Sequence, residues 1–213
     1  MNKHIRSFVL KHAGIVNYLP FVNSFSLHGT KADLNHKLFI KTKFNCQGIG
    51  NKIVCGNGGS VRYSNIYIRG NDNTVIIRDN SIVIRAEFWL EGDGNIIEIG
   101  TNTSICGKTH LACIEGTRIS IGNNCLLSSN IVLRTGDSHN IYNIDGLRIN
   151  PSSDIVIGDH VWIGYGAMIN KGVHISDNTV IGNGSIVTRS FEEAGIIIAG
   201  VPAKQIKDSI TWD

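Results

Sequence analysis

The run Ile157-Gly158-Asp159-His160-Val161-Trp162-Ile163-Gly164 holds two isoleucines six positions apart, each followed by glycine. The interval persists through Ile169, Ile175, Ile181 and Val187, with Gly182 after Ile181. A period of six fits neither the 3.6-residue turn of a helix nor the two-residue alternation of a strand. A chain that repeats over so short a step folds as a solenoid, each step stacking on the last. The hexad reads aliphatic, small, turn-former, turn-former, small or polar, then β-branched or large. Three such steps close one triangular coil, which predicts an all-β solenoid.

The register extends backwards in blocks: Ile121, Leu127 and Leu133; Ile99, Ile105 and Leu111; Ile84, Leu90 and Ile96. Its phase slips between blocks, so some corners carry extra residues. Clusters such as Gly70-Asn71-Asp72-Asn73, Gly92-Asp93-Gly94-Asn95 and Gly122-Asn123-Asn124 mark corners, because these residues tolerate the left-handed backbone that a sharp turn demands. Coils stacked at strand spacing, about 4.8 Å, give roughly seven coils and a column about 34 Å tall. The solenoid is expected over 46–191, behind a cap and lead-in over 1–45 and ahead of a closing segment over 192–213. In the cap, Ile5, Phe8, Val9 and Leu10 alternate with Lys3, Arg6 and Lys11. That pattern predicts a short amphipathic helix ending near Pro20, a lid over open strand edges, with peripheral membrane attachment as the alternative. Pro202 is expected to begin a closing helix that runs over Lys204–Ile210.

Composition excludes several function classes. A net charge of +3, without a basic run interleaved with aromatics, argues against nucleic acid. No apolar run approaches the ~18 residues of a membrane span, and no signal-peptide core precedes a cleavage site, so the expected compartment is the cytoplasm. Five cysteines without CxxC spacing read as reduced, packed thiols.

One stretch breaks the rhythm. Arg134-Thr135-Gly136-Asp137-Ser138-His139 opens a polar segment, and the hexads resume only near Ile157. So long an excursion from a compact repeat points to function and marks 134–154 as an active-site loop. His139 stands at its root, and imidazole is the side chain suited to accept a proton near neutral pH. Asp137, two residues away, faces the same way in extended chain and is a candidate to orient the ring.

Three motifs in order, Ile157–Gly164, Val180-Ile-Gly-Asn-Gly-Ser-Ile-Val-Thr-Arg189 and Ala199-Gly-Val-Pro-Ala-Lys204, resemble the hexapeptide-repeat acyltransferases. Within these, the branch is that of the galactoside/maltose and capsule or O-antigen O-acetyltransferases. The resemblance implies a left-handed parallel β-helix and a homotrimer with active sites between subunits. It also implies acetyl-CoA as co-substrate and direct transfer to a hydroxyl of a capsular, O-antigen or exopolysaccharide precursor. Following Thr135-Gly136, His139 is implied as the general base. His110 is implied at the acceptor pocket and, by comparison with serine acetyltransferases, as a rival base. Trp162 is implied beside the acceptor, and Arg134 and Glu115 are further acceptor-side candidates, Glu115 also as a second carboxylate to orient the base. The matching coenzyme A positions are Tyr165, Asn183, Thr188, Arg189, Lys204 and Lys207. A backbone N–H near Gly164 or Tyr165 is implied as the oxyanion donor, and His160 reads as a structural corner residue. The γ-type carbonic anhydrases share the fold but place two ligand histidines five apart. His110, His139, His160 and His174 contain no such pair, so no metal is expected. The alternatives are a xenobiotic or amino-sugar N-acetyltransferase, and a non-catalytic β-helix scaffold.

Overall fold

A computed structural model describes residues 12–19 and 21–213. Each coil contributes one strand to each of three sheets. Among the described residues the first face holds eight strands, from Ser24–Leu27 to Ile186–Val187, and the second holds seven, from Thr30–Asp33 to His174–Ile175. The third holds nine and begins at Leu38–Ile40. The aliphatic residues of the late hexads point inward: Ile163, Ile169, Ile175, Ile181 and Val187 are fully buried. In the earliest block Leu90 is buried as expected, but Ile84 and Ile96 face outward and Val83 and Ile97 fill the core in their place. The chain is therefore a parallel β-solenoid. Among the described residues its pairing begins at Ser24, ahead of position 46 and inside the stretch read as lead-in, with Ser24–Leu27 lying in register against Lys43–Cys46.

The phase slips follow from corners of unequal length, and the corner between the third and first faces is itself one residue shorter at Ile82–Glu87 than at Ser104–His110. Equivalent residues are 22 apart in the early coils and 18 apart in the late ones. The coil that carries the excursion spans 36. In the late coils Met168, His174, Val180 and Ile186 follow one another at six-residue steps. In an early coil His110 and Ser120 hold the matching places on the first and second faces, while Leu126 and Val132 still follow at six. In that coil the additional residues thus sit at the corner between the first and second faces, and the excursion leaves from that same corner.

Asn51, Asn73 and Asn95 line this corner from inside, all fully buried. The Asn73 amide donates to Asn51 Oδ1 at 3.2 Å and to the Gly92 carbonyl at 2.8 Å, while its own oxygen accepts the Asn95 backbone and side-chain N–H groups, both at 2.9 Å. Asn73→Leu removes all of these at once and leaves buried partners unpaired, at a cost of about 2–4 kcal/mol. The expected readout is a lower denaturation midpoint with an unchanged slope. On an outer corner Asp177 accepts the Asp159 N–H, Asp159 accepts the Asn123 N–H, and Asn123 accepts the Thr101 N–H, at 2.7–2.8 Å. This ladder accounts for the acidic and amide residues that follow the hexad glycines.

All five cysteines are free. Burial pushes the thiols of Cys46 and Cys125 up to about 11 and those of Cys55 and Cys113 up to about 12, so they stay protonated.

Most of the expected N-terminal helix lies outside the described residues. Within them Ala13–Val16 forms one α-helical turn. Asn17 then ties this segment to the end coil, donating to the carbonyls of Leu34 and Lys37 and accepting the Phe39 N–H. The expected closing helix is not formed. Ala203–Lys207 is instead a strand antiparallel to Ile197–Gly200 on the third face. The last coil otherwise presents an unpaired edge, and a returning strand satisfies its backbone groups where a helix would not. Among the described residues no helix is long and apolar enough to cross a membrane.

Candidate active site

The excursion leaves the first face after Ile131–Arg134 and rejoins the second at Ile155–Ile157. Gly136 lets its two ends close together: a Cβ there would lie 2.3 Å from Ser152 Oγ and 2.5 Å from Ile114 Cδ1. Beyond it the chain turns back on itself, with an antiparallel bridge between Tyr142 and Arg148. Asn150 is buried and pins both sides of His139. Its amide donates to Asp137 Oδ2 and to the His139 carbonyl, each at 2.8 Å, and its oxygen accepts the Ile141 N–H at 2.6 Å.

His139 itself is exposed, and among the described residues its ring has no hydrogen-bond or ion-pair partner. Asp137 does not orient it. That carboxylate receives Lys171 Nζ at 2.6 Å, and hydrogen bonds from Lys171 and Asn150 hold it below the usual carboxylate range. Arg134, Gly136, Asp137, Asn170 and Lys171 line a cleft of about 330 Å³ beside the loop root. Arg134 also donates to Ser138 Oγ at 2.9 Å. Glu115 serves as a tether: Arg148 reaches both its oxygens, at 2.8 and 2.9 Å, and the Arg148 and Ser152 hydrogen bonds lower its pKa. Asn150, Lys171 and Arg148 were not singled out from the sequence. Their roles arise only when distant parts of the chain meet, and no spacing signals them.

His110 faces outward on the first face, its Nδ1 2.9 Å from Glu87 Oε2, so the carboxylate fixes the ring orientation. It pairs in register with Val132, on the strand that launches the excursion.

Trp162 also points outward, on the third face, 40% exposed. His160 adopts φ 56°, in one corner column with Asn102, Asn124 and Asn178, and its Nδ1 lies 2.6 Å from Asn178 Oδ1. Its ring stacks on Trp212, with centroids 4.2 Å apart and planes 6° apart, and Trp212 Nε1 donates to the His160 carbonyl at 3.0 Å. The Trp212 ring lies 6.0 Å from that of Trp162. The C-terminal tail thus reaches the wall of the implied acceptor pocket, through a residue that no motif announced.

The coenzyme A candidates divide between positions. Tyr165 and Asn183 lie at the corner between the third and first faces, where the Tyr165 hydroxyl bonds the Asn130 amide. Thr188 and Arg189 follow Ile186–Val187 at the opposite edge of the first face, with the Arg189 guanidinium 5.2 Å from the Phe191 ring. Lys204 and Lys207 are exposed on the closing strand. The implied oxyanion donors are occupied. Tyr165 N–H donates to Asn183 Oδ1 at 2.9 Å and Gly164 N–H to the Ile181 carbonyl at 2.8 Å, so neither amide is available to substrate.

His139 and Trp162 do not meet within one chain. The excursion leaves the corner between the first and second faces, and in a three-sided prism that corner lies opposite the third face, which bears Trp162. The excursion also carries exposed apolar side chains, among them Ile144, which is fully exposed, and Leu147, 66% exposed.

Comparison with known proteins places this geometry. Residues 154–189 match the bacterial transferase hexapeptide (six repeats) model. The chain is 36% identical over 172 residues to the polysialic acid O-acetyltransferase of Neisseria meningitidis, covering 80% of this chain and 79% of that one. It is 33% identical over 141 residues to the galactoside O-acetyltransferase of Escherichia coli K12, covering 62% and 66%. The crystal structure of the polysialic acid O-acetyltransferase OatWY superposes with a TM-score of 0.82 at 32% identity, over 90% of each chain.

Proposed function

Because the chain belongs to the hexapeptide-repeat O-acetyltransferases and is an acyltransferase, we propose that it moves the acetyl group of acetyl-CoA to a hydroxyl of a capsular or other surface polysaccharide. The carrying observation is the unpartnered His139 imidazole, held at the root of a loop that is fixed on both sides by Asn150 and clamped by Asp137–Lys171. His139 takes the proton of the sugar hydroxyl as that oxygen bonds to the thioester carbonyl carbon. The tetrahedral adduct then expels the coenzyme A thiolate, which recovers the proton from the imidazolium. No acetyl-enzyme forms.

The assembly is a homotrimer of left-handed prisms in the cytoplasm, where acetyl-CoA is available. The apolar tip of the excursion, with Ile144 and Leu147, packs on the neighbouring subunit. That packing brings His139 of one chain to Trp162 of the next and lays coenzyme A along the cleft, with Arg189, Lys204 and Lys207 as donors to its phosphates.

The test is release of free thiol from acetyl-CoA in the presence of surface polysaccharides, nucleotide sugars, amino sugars and chloramphenicol. Turnover with a hydroxylated glycan is expected. Turnover with chloramphenicol or an amino sugar alone would replace this reading. Asn150→Ala frees both sides of the loop root and should lower kcat about 10–100-fold, with little change in KM for acetyl-CoA, because only the position of the base is disturbed.

A further inference from the structure

At the corner between the third and first faces, Lys41, Tyr63, Arg85, Lys108 and Asn130 stack in one column, one residue per coil. Lys41, Tyr63 and Arg85 hold left-handed backbones, with φ of 50°, 55° and 56°. Such a backbone disfavours every residue but glycine, and among the rest Asn tolerates it best because its short side chain hydrogen-bonds locally. This chain supplies that answer at its other corner, between the second and third faces, where Asn80, Asn102, Asn124 and Asn178 have φ of 54–57°. The strain is therefore mostly relieved along one edge, where His160 is the exception, and retained in three successive coils of the other, where lysine, tyrosine and arginine precede Asn130.

The retained residues form a cationic edge. Lys41, Arg85 and Lys108 are exposed, and among the described residues none has an ion-pair partner. Lys41 Nζ lies 5.8 Å from the Tyr63 ring centroid. Lys43 is exposed beside Lys41, and Arg62 beside Tyr63 keeps a buried Nε without a partner. The nearby acid, Glu87, is held by His110. Arg85 and Lys108 stand on adjacent rungs, about 4.8 Å apart along the column, and Lys41 two rungs from Arg85; like charges so placed repel one another until an anion lies across them. The column borders the first face, two residues from Glu87 and His110 along their strands, and the far edge of that face leads to the His139 excursion. On that face Tyr67 and Trp89 stack at 4.1 Å.

We propose that this edge docks a negatively charged acceptor glycan, a polymer with regularly spaced carboxylates or phosphates, and so selects acidic over neutral polysaccharide. The inference rests on the sugar O-acetyltransferase reading and names the class of acceptor. Lys41→Asn and Arg85→Asn, combined with Lys108→Gln, test it, because asparagine suits the left-handed backbone and protects folding. Binding is followed by fluorescence anisotropy of labelled oligosialic acid, with dextran of equal length as the neutral control. The wild-type protein should bind the acidic chain only, and about tenfold more weakly at 0.3 M salt than at 0.05 M. The triple variant should lose at least about tenfold in affinity while its melting temperature holds or rises, since strain has been removed. Equal affinity in the variant, equal binding of dextran, no binding of oligosialic acid by the wild-type protein, or tighter binding of a single-stranded oligonucleotide would each overturn the proposal. Because anisotropy requires no turnover, these outcomes stand apart from the enzymatic reading, which fails separately if no acceptor releases thiol.

Discussion

His139→Ala will lower kcat about 10²–10⁴-fold with every acceptor while leaving coenzyme A binding and the melting temperature at wild-type values. The size follows from the role. A positioned base removes a proton as the new bond forms, and water replaces it poorly. The stability half of the prediction follows from the surroundings, because the ring is exposed and the loop is held by the His139 backbone carbonyl, which alanine retains. A matched His110→Ala protein separates the two histidines. His110 sits on a rigid strand against Glu87, so its loss should raise KM for the acceptor more than it lowers kcat. Should the His110 variant lose kcat and the His139 variant keep it, the base would belong to the first face and not to the excursion.

How far the sequence could be read follows from the range of each interaction. The hexad aliphatics were legible because one residue in six must fill the prism, and each of Ile163, Ile169, Ile175 and Ile181 does so. The slipped phase was visible too, though not its cause, since the sequence does not say which corners lengthen or shorten from coil to coil. The Lys204–Ile210 segment misled because its strand form depends on pairing with an open edge several residues back, not on its own pattern. Similarly, the family resemblance implied a free amide near Gly164 or Tyr165, yet a side chain one coil later, Asn183, already accepts the Tyr165 N–H. Within the candidate site His139 stood out because it interrupts a repeat. Asn150 and Lys171 did not, because each meets Asp137 only after the excursion closes, and Lys171 does so from 34 positions away.

The placement of His139 and Trp162 on opposite sides of one prism leads to the sharpest test of the assembly. His139→Ala and Trp162→Ala proteins should each be nearly inactive. If every site draws its histidine from one subunit and its tryptophan from the next, trimers mixed from the two variants contain some interfaces with both residues intact. Random assembly in equal amounts restores about a quarter of the sites, because each neighbour is chosen independently around a closed ring. If both residues instead came from the same chain, every site in every mixture would lack one of them and no activity would return. The mixing depends on the trimer, so Ile144→Asp combined with Leu147→Asp supplies the control. Two carboxylates on the apolar tip of the excursion oppose burial against a neighbour but leave the solenoid core of each chain untouched. That double variant should sediment as a monomer with unaltered circular dichroism, and its activity should fall below detection. A monomer that still turned over acetyl-CoA would place the whole site within a single prism, and the excursion would then have to reach around its own third face to bring His139 to Trp162.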